Sequence, residues 1–253
     1  MRHILISILL VTLIAACATS PLGRSQLMLV SGDQMTEMGV AAFSDMKKKT
    51  PLTRDSRTSA YVNCVAQAIT GELGDGRAWE VQVFDDKQVN AFALPGGKIG
   101  VYAGLLKVAT TQDQLAAVIG HEVSHVVAGH HAERVSEQMA AQLGGSVVSA
   151  ATGVDSQLLG VASNVFFTLP HSRTQESEAD LLGLDLMSRA GFDPRAAVTL
   201  WQNMATAGGQ KPPELLSTHP ADDTRIQQLQ DRIPSDLPIY EQAKAQGKRP
   251  RCG

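Results

Sequence analysis

The chain has 253 residues, a formal net charge of −3, 43% hydrophobic residues and 19% charged ones. That is enough apolar matter for one sizeable core, and it excludes binders of phosphate backbones, which need a concentrated Lys/Arg surface to replace counterions. No low-complexity stretch and no solenoid-type period occurs.

Arg2 and His3 precede an apolar run over residues 4–16, the arrangement of an export signal and too short to span a bilayer comfortably. The run ends in Ile14-Ala15-Ala16-Cys17, which resembles a bacterial lipobox. The resemblance implies cleavage before Cys17 and lipid on that residue; with Ala18 following, it implies the periplasmic face of a Gram-negative outer membrane. An ordinary cleaved signal with an incidental Cys17 is the alternative. Residues 17–32 then read as a tether.

Helical spacing follows over residues 34–48 and 54–73, where Tyr61, Val65, Ala68 and Ile69 share a face and Gly71, Gly74 and Gly76 stop the helix. Strands are expected over 78–84, 89–94 and 98–102, the last two joined through Pro95-Gly96-Gly97, as one small antiparallel sheet. Thr111 and Gln114 make a capping box, and the apolar pattern predicts a single helix from there to about residue 143. Residues 144–170 read as a packed helical connector or lid. Further helices are expected over 172–189, closed by Gly191, from Asp193-Pro194 to about 205, and from Pro220 towards 233. Cys64 and Cys252 are the pair available for a disulfide, two free thiols being the alternative.

Within the long helix stands His121-Glu122-Val123-Ser124-His125, an HExxH pattern. Residues four apart lie one turn apart on one face, so both imidazoles can converge on an ion while Glu122 sits beside its open position. An ion held there lowers the pKa of bound water, and the adjacent carboxylate can carry the proton to a leaving amine. A third ligand is needed. His131 has the metzincin spacing, but that motif needs glycine where Ala128 stands, so His130 and His131 read as supporting or surface histidines. The stronger source is Glu176-Ser177-Glu178-Ala179-Asp180: Glu176 and Asp180 are one turn apart, so one can bind the ion while the other receives an imidazole N–H, and Glu178 points elsewhere. An acidic solvated helix face remains the alternative on spacing alone.

HEVSH, an ExEAD sequence some fifty residues later, NAFALPGGKIGVYAGLL upstream and STHPADDTRI downstream together resemble the metallopeptidase family of the CAAX prenyl protease 1 and HtpX, over roughly residues 61–233. With that family's membrane helices absent, the soluble lipoprotein branch (BepA-like and LoiP-like) is the nearer likeness. The resemblance implies an α+β, zincin-like (minigluzincin) fold and one Zn2+ per chain, with Glu176 as third ligand to His121 and His125, Asp180 supporting them and Glu122 activating water. The expected division is signal 1–16, tether 17–32, metallopeptidase domain 33–235 and tail 236–253.

Asn90-Ala91-Phe92-Ala93 is the candidate edge along which an extended substrate adds as a strand, an interior strand of the hairpin being the equal alternative. His219, between the breakers around Ser217-Thr218 and Pro220, suits either steadying an oxyanion or plugging the open position, with a packing histidine as the plain alternative. Arg173 and Arg225 are candidates to pair with the acidic groups. The expected function is cleavage of misfolded or misassembled cell-envelope proteins. The alternative is a zinc-stabilised scaffold for outer-membrane assembly, its proteolysis suppressed by its own loop. A lipid hydrolase lacks a Ser-centred motif.

Overall fold

The computed structural model describes residues 17–142, 154, 156–207, 213–219 and 223–253. The expected signal segment and the breaker residues 208–212 and 220–222 lie outside them.

Where a tether was expected, β1 (Cys17–Thr19) pairs antiparallel with β2 (Ser25–Leu27). Gly23, at φ 87°, turns the chain between them. The hairpin is fastened by polar contacts, which apolar periodicity does not register: Arg24 pairs with Glu133 and Glu178, and buried Gln26 donates to the Ala128 carbonyl at 2.8 Å.

Helix α1 (Gly32–Lys49) starts from a complete Ser31/Gln34 capping box, and α2 (Ser56–Gly71) from an Asp55 cap. Three strands follow, β3 (Glu80–Phe84), β4 (Ala91–Leu94) and β5 (Lys98–Tyr102), in the order β3-β5-β4. The α+β class stands, but this sheet is mixed and not antiparallel throughout: β4 pairs antiparallel with β5, whereas β3 runs parallel to β5. Both faces are buried, each strand sending alternate side chains to opposite clusters. Val81, Val83, Ala91, Ala93, Ile99 and Val101 join the core with α2 and the helices beyond. Phe84, Phe92, Leu94 and Tyr102 face Met35, Met38 and Phe43 of α1.

The single helix expected over residues 111–143 is two: α3 (Gln112–Val127) and α4 (His130–Gln142). Gly129 sits at φ +70° after the Ala128 cap, the left-handed conformation that ends helices and that glycine tolerates. Sequence periodicity runs through the break because both helices bury apolar faces. Then come α5 (Ser156–Phe167) in the connector region, α6 (Arg173–Arg189) capped by Ser172 and Gln175, α7 (Arg195–Ala207), the short α8 (Glu214–Thr218) and α9 (Asp223–Ala245). The last continues through Pro234 and Pro238, past its expected end, so more than half of the expected tail is helix. No described helix is long and apolar enough to cross a membrane. Cys64 on α2 and Cys252 stand 5.5 Å apart, Cα to Cα, a span that suits a disulfide.

Helix α3 lies at the centre, against the sheet on one side and α6 on the other. Gly120 and Gly183 let α3 and α6 approach until backbone meets backbone. This close crossing sets the spacing of the site.

Candidate metal centre

His121 and His125, one turn apart on α3, point their Nε2 atoms at one another across 3.1 Å. Glu176, in the first turn of α6, meets both: its Oε2 is 3.3 Å from His121 Nε2 and its Oε1 3.4 Å from His125 Nε2. His219, which ends α8, brings Nδ1 to 3.0 Å from Glu176 Oε1 and 3.3 Å from His121 Nε2. One ligand atom from each of these four buried residues falls within 4.8 Å of the others. Glu122, also buried, has Oε1 3.5 Å from His219 Nε2 and without a hydrogen-bond partner.

The donor set suits a cation. A carboxylate only accepts, so Asp180 Oδ1, 2.9 Å from His121 Nδ1, accepts a hydrogen bond from that nitrogen, which carries the ring hydrogen. His121 Nε2 is thereby left with its lone pair facing the cluster. Lone pairs facing a carboxylate cannot hydrogen-bond with it; a cation among them gives each a partner, and three such donors of N and O type are what catalytic zinc takes.

The electrostatics point the same way. Burial pushes the His121 imidazole down, but Glu176 and Asp180 outweigh burial and raise it to about 10, so these carboxylates draw positive charge to the centre. Burial lowers His125 well below its ordinary range, keeping it neutral as a ligand must be. Burial raises Glu122. Glu176 and Asp180 are lowered against the effect of burial, Glu176 by His219 and His121, Asp180 mainly by Arg225. Arg225 holds Asp180 with two bonds, Nε to Oδ2 at 2.7 Å and Nη2 to Oδ1 at 2.8 Å, and lies 2.7 Å from Glu176 Oε2 through Nη1. It also lies over the Trp201 ring at 4.4 Å.

Glu178 does point away from Asp180, but not into solvent: it is buried and accepts from His130 Nε2 at 3.2 Å. His130 and His131 are not surface histidines either. Both are buried, because the turn at Gly129 folds α4 back onto α3 and sets His130 Nδ1 2.8 Å from His125 Nδ1. His171 and Arg134 were not foreseen. The His171 ring lies 3.9 Å from that of His125 and stacks on that of His219 at 4.9 Å. Its backbone N–H donates to the Thr218 carbonyl at 3.0 Å, while Arg134 Nη1 donates to its Nε2 at 3.0 Å. His171 thus fixes the segment that presents His219. The available signal was histidine density, since six of the seven histidines fall between residues 121 and 219. The expected substrate edge is at a sheet edge, for β4 has a strand on one side only among the described residues.

The sequence profile of peptidase family M48 matches residues 53–233. The mitochondrial metalloendopeptidase OMA1 of Schizosaccharomyces pombe is 41% identical over 180 residues, covering 70% of this chain and 53% of that one. The human mitochondrial metalloendopeptidase OMA1 is 33% identical over 241 residues, 87% and 46% of the two chains. The β-barrel assembly-enhancing protease of Escherichia coli is 25% identical over 235 residues, 88% and 48%. This chain spans about half the length of these relatives. The mitochondrial relatives, from fungi, a plant and mammals, overturn the expected location at the periplasmic face of a Gram-negative outer membrane. The physical reason for the error is that a basic residue before a short apolar run is a general membrane-engaging pattern, and one cysteine behind it carried the rest of that inference.

Proposed function

This chain belongs to peptidase family M48, and on that premise we propose that it is a zinc-dependent endopeptidase whose metal is held by His121, His125 and Glu176. The observation that carries the proposal is the convergence of these three with His219 within 4.8 Å, all buried. Zinc bound there would supply an acidified water and polarise the scissile carbonyl. Glu122 is the general base: it takes the proton of the attacking water and delivers it to the leaving nitrogen. Asp180 orients His121, and Arg225 holds Asp180 and Glu176 in place. An extended substrate adds along β4, where the Ala93 N–H hydrogen-bonds Glu122 and so ties the edge to the base.

His219 stands in the position that water must occupy, because four protein ligands make a closed site and a catalytic one keeps an open position. In this reading α8 withdraws His219 to admit substrate. The same observation favours the second reading, a zinc-stabilised scaffold with suppressed proteolysis. Misfolded or misassembled membrane-associated proteins are the proposed substrate class, supported by the names of the Escherichia coli and Yersinia pestis relatives, which refer to β-barrel assembly.

Glu122→Gln decides between enzyme and scaffold. The endopeptidase predicts at least about a 100-fold loss of casein cleavage with zinc content unchanged, on the scale of lost acid–base catalysis. Retained cleavage rules out Glu122 as the base. Full biological complementation by the inactive variant favours the scaffold.

A further inference from the structure

We propose that Arg24, Glu178 and His130 form a positioning relay that sets which ring nitrogen of His125 carries its hydrogen, and so which one faces the metal site. The inference rests on the zinc site proposed above. Its starting point is a contact that leaves little choice of protons: His125 Nδ1 and His130 Nδ1 face each other at 2.8 Å, both rings fully buried. In such a pair of neutral rings one nitrogen carries hydrogen and the other accepts it.

Glu178 settles which. Its Oε2 lies 3.2 Å from His130 Nε2, and a carboxylate offers no hydrogen, so the hydrogen of His130 is on Nε2 and its Nδ1 is the acceptor. His125 must then carry its hydrogen on Nδ1. That leaves the lone pair of His125 Nε2 directed at His121 Nε2 and Glu176, 3.1 and 3.4 Å away. Without the carboxylate, the two imidazoles can exchange donor and acceptor, and the form with hydrogen on His125 Nε2 has no lone pair for an ion. Asp180 does the equivalent for His121, so each histidine ligand has its own carboxylate, one direct and one through a second ring.

Glu178 is itself held by the N-terminal hairpin. Arg24 Nε donates to its Oε2 at 3.1 Å, the Leu22 N–H donates to its Oε1 at 3.3 Å, and the Ser20 side chain hydrogen-bonds it as well. Arg24 is anchored in turn on Glu133, with Nη2 2.7 Å from Oε2. Residues 20–24 lie outside the segment that matches the family, so the metal centre extends into a part of this chain that the family match does not contain.

The test is zinc affinity of the full chain, measured by competition with a chromogenic chelator, together with the visible spectrum of the cobalt-loaded protein. Supporting groups of metal ligands are worth roughly 10–100-fold in metal affinity. Glu178→Ala is expected to weaken zinc by that factor and to alter the cobalt bands, and Glu178→Gln, which keeps one acceptor oxygen but adds an N–H that can donate to His130, to recover only part of the loss. Arg24→Ala is expected to weaken zinc by about threefold to tenfold, because Leu22 and Ser20 still hold Glu178. Should Glu178→Ala fail to fold, the partly exposed Arg24 variant carries the test. Wild-type zinc affinity in a folded Glu178→Ala, or in a folded Arg24→Ala if that is the variant in hand, overturns the relay. The zinc site has a separate criterion: wild-type protein that binds no zinc, or a Glu176→Ala variant that binds it as wild type does, overturns the site and not merely its support.

Discussion

Gly183→Ala tests the close crossing of α3 and α6 on which the metal centre depends. A Cβ at Gly183 would sit 2.9 Å from His121 N, 3.0 Å from Gly120 C and 3.1 Å from His121 Cα, against an ordinary carbon contact of about 3.5–4.0 Å. All three are backbone atoms, so no side chain can swing aside, and the helices must part by roughly half an ångström or more. Alanine gains about 0.8–1.0 kcal/mol over glycine as a helix former, whereas overpacking costs about 1–3 kcal/mol. The net expectation is a loss of up to about 2 kcal/mol. For a domain of this size that lowers Tm by up to roughly 8 °C. Gly160→Ala on α5 is the control: nothing lies within 4 Å of its Cβ, so the propensity term acts alone and stability should rise by about 0.5–1 kcal/mol. Because Asp180 and Glu176 ride on α6 while His121 and His125 ride on α3, Gly183→Ala should also weaken zinc about tenfold or more. Urea unfolding of the metal-free protein and chelator competition measure the two effects separately. A Gly183→Ala protein as stabilised as Gly160→Ala, with zinc affinity intact, refutes the crossing as the source of the site's spacing.

Three further outcomes are expected. Gly129→Ala should lose about 1–2 kcal/mol, because an L side chain is strained at φ +70°, and it should weaken zinc as His130 moves off His125; an unchanged urea midpoint counts against the turn. Cys64→Ser should lower the unfolding free energy by about 2–5 kcal/mol, since the proposed disulfide closes a loop of 188 residues, and reductant should do the same to the wild type but nothing more to the variant. Glu80, bridging Lys47 and Lys98, is lowered from its ordinary 4.5 to about 2, chiefly by the Lys47 hydrogen bond. A depressed carboxylate stabilises fully above its unfolded pKa, so Glu80→Gln should cost about 0.5–1.5 kcal/mol near pH 7, discounted for its partial exposure. That cost should fade between pH 4.5 and 2, and a pH-independent difference would show that the charge is irrelevant.

The parts of the fold legible in the sequence are those with a local cause. Thr111/Gln114 and Ser172/Gln175 both form complete capping boxes, and the helices they open begin where those residues imply. The one-turn spacings His121/His125 and Glu176/Asp180 follow from helical geometry alone. The rest depends on crossings that periodicity does not record. Continuous apolar spacing hid the break at Gly129, because a glycine in the left-handed region interrupts hydrogen bonding without interrupting the pattern. His171 is placed by a loop contact with Thr218, and Arg24 by ion pairs reaching more than a hundred residues along the chain. The parallel pairing of β3 with β5 was equally hidden, for two strands of alternating apolar residues look the same in either direction.

Charge balance explains why these distant pieces belong together. Glu122, Glu176 and Asp180 are all buried at the crossing of α3 and α6, and Arg225 is, among the described residues, the one fixed cation in contact with two of them. Buried carboxylates with too few partners are costly, and a divalent ion is the charge that brings three carboxylates and one guanidinium to neutrality. Burial and neighbouring positive groups hold His125 and His171 low, and burial with Arg134 does the same for His131, so these three rings supply no counter-charge. If the proposed dication occupies this site, its binding contributes to the stability of the fold. It also explains the two-tier support, with Asp180 and Arg225 behind His121 and with Glu178 and Arg24 behind His125. Each arm delivers negative charge towards one imidazole N–H, Asp180 being held low mainly by Arg225 and Glu178 by Ser20 together with His130, Leu22 and Arg24, so that in the proposed site both rings turn an unprotonated nitrogen to the same point.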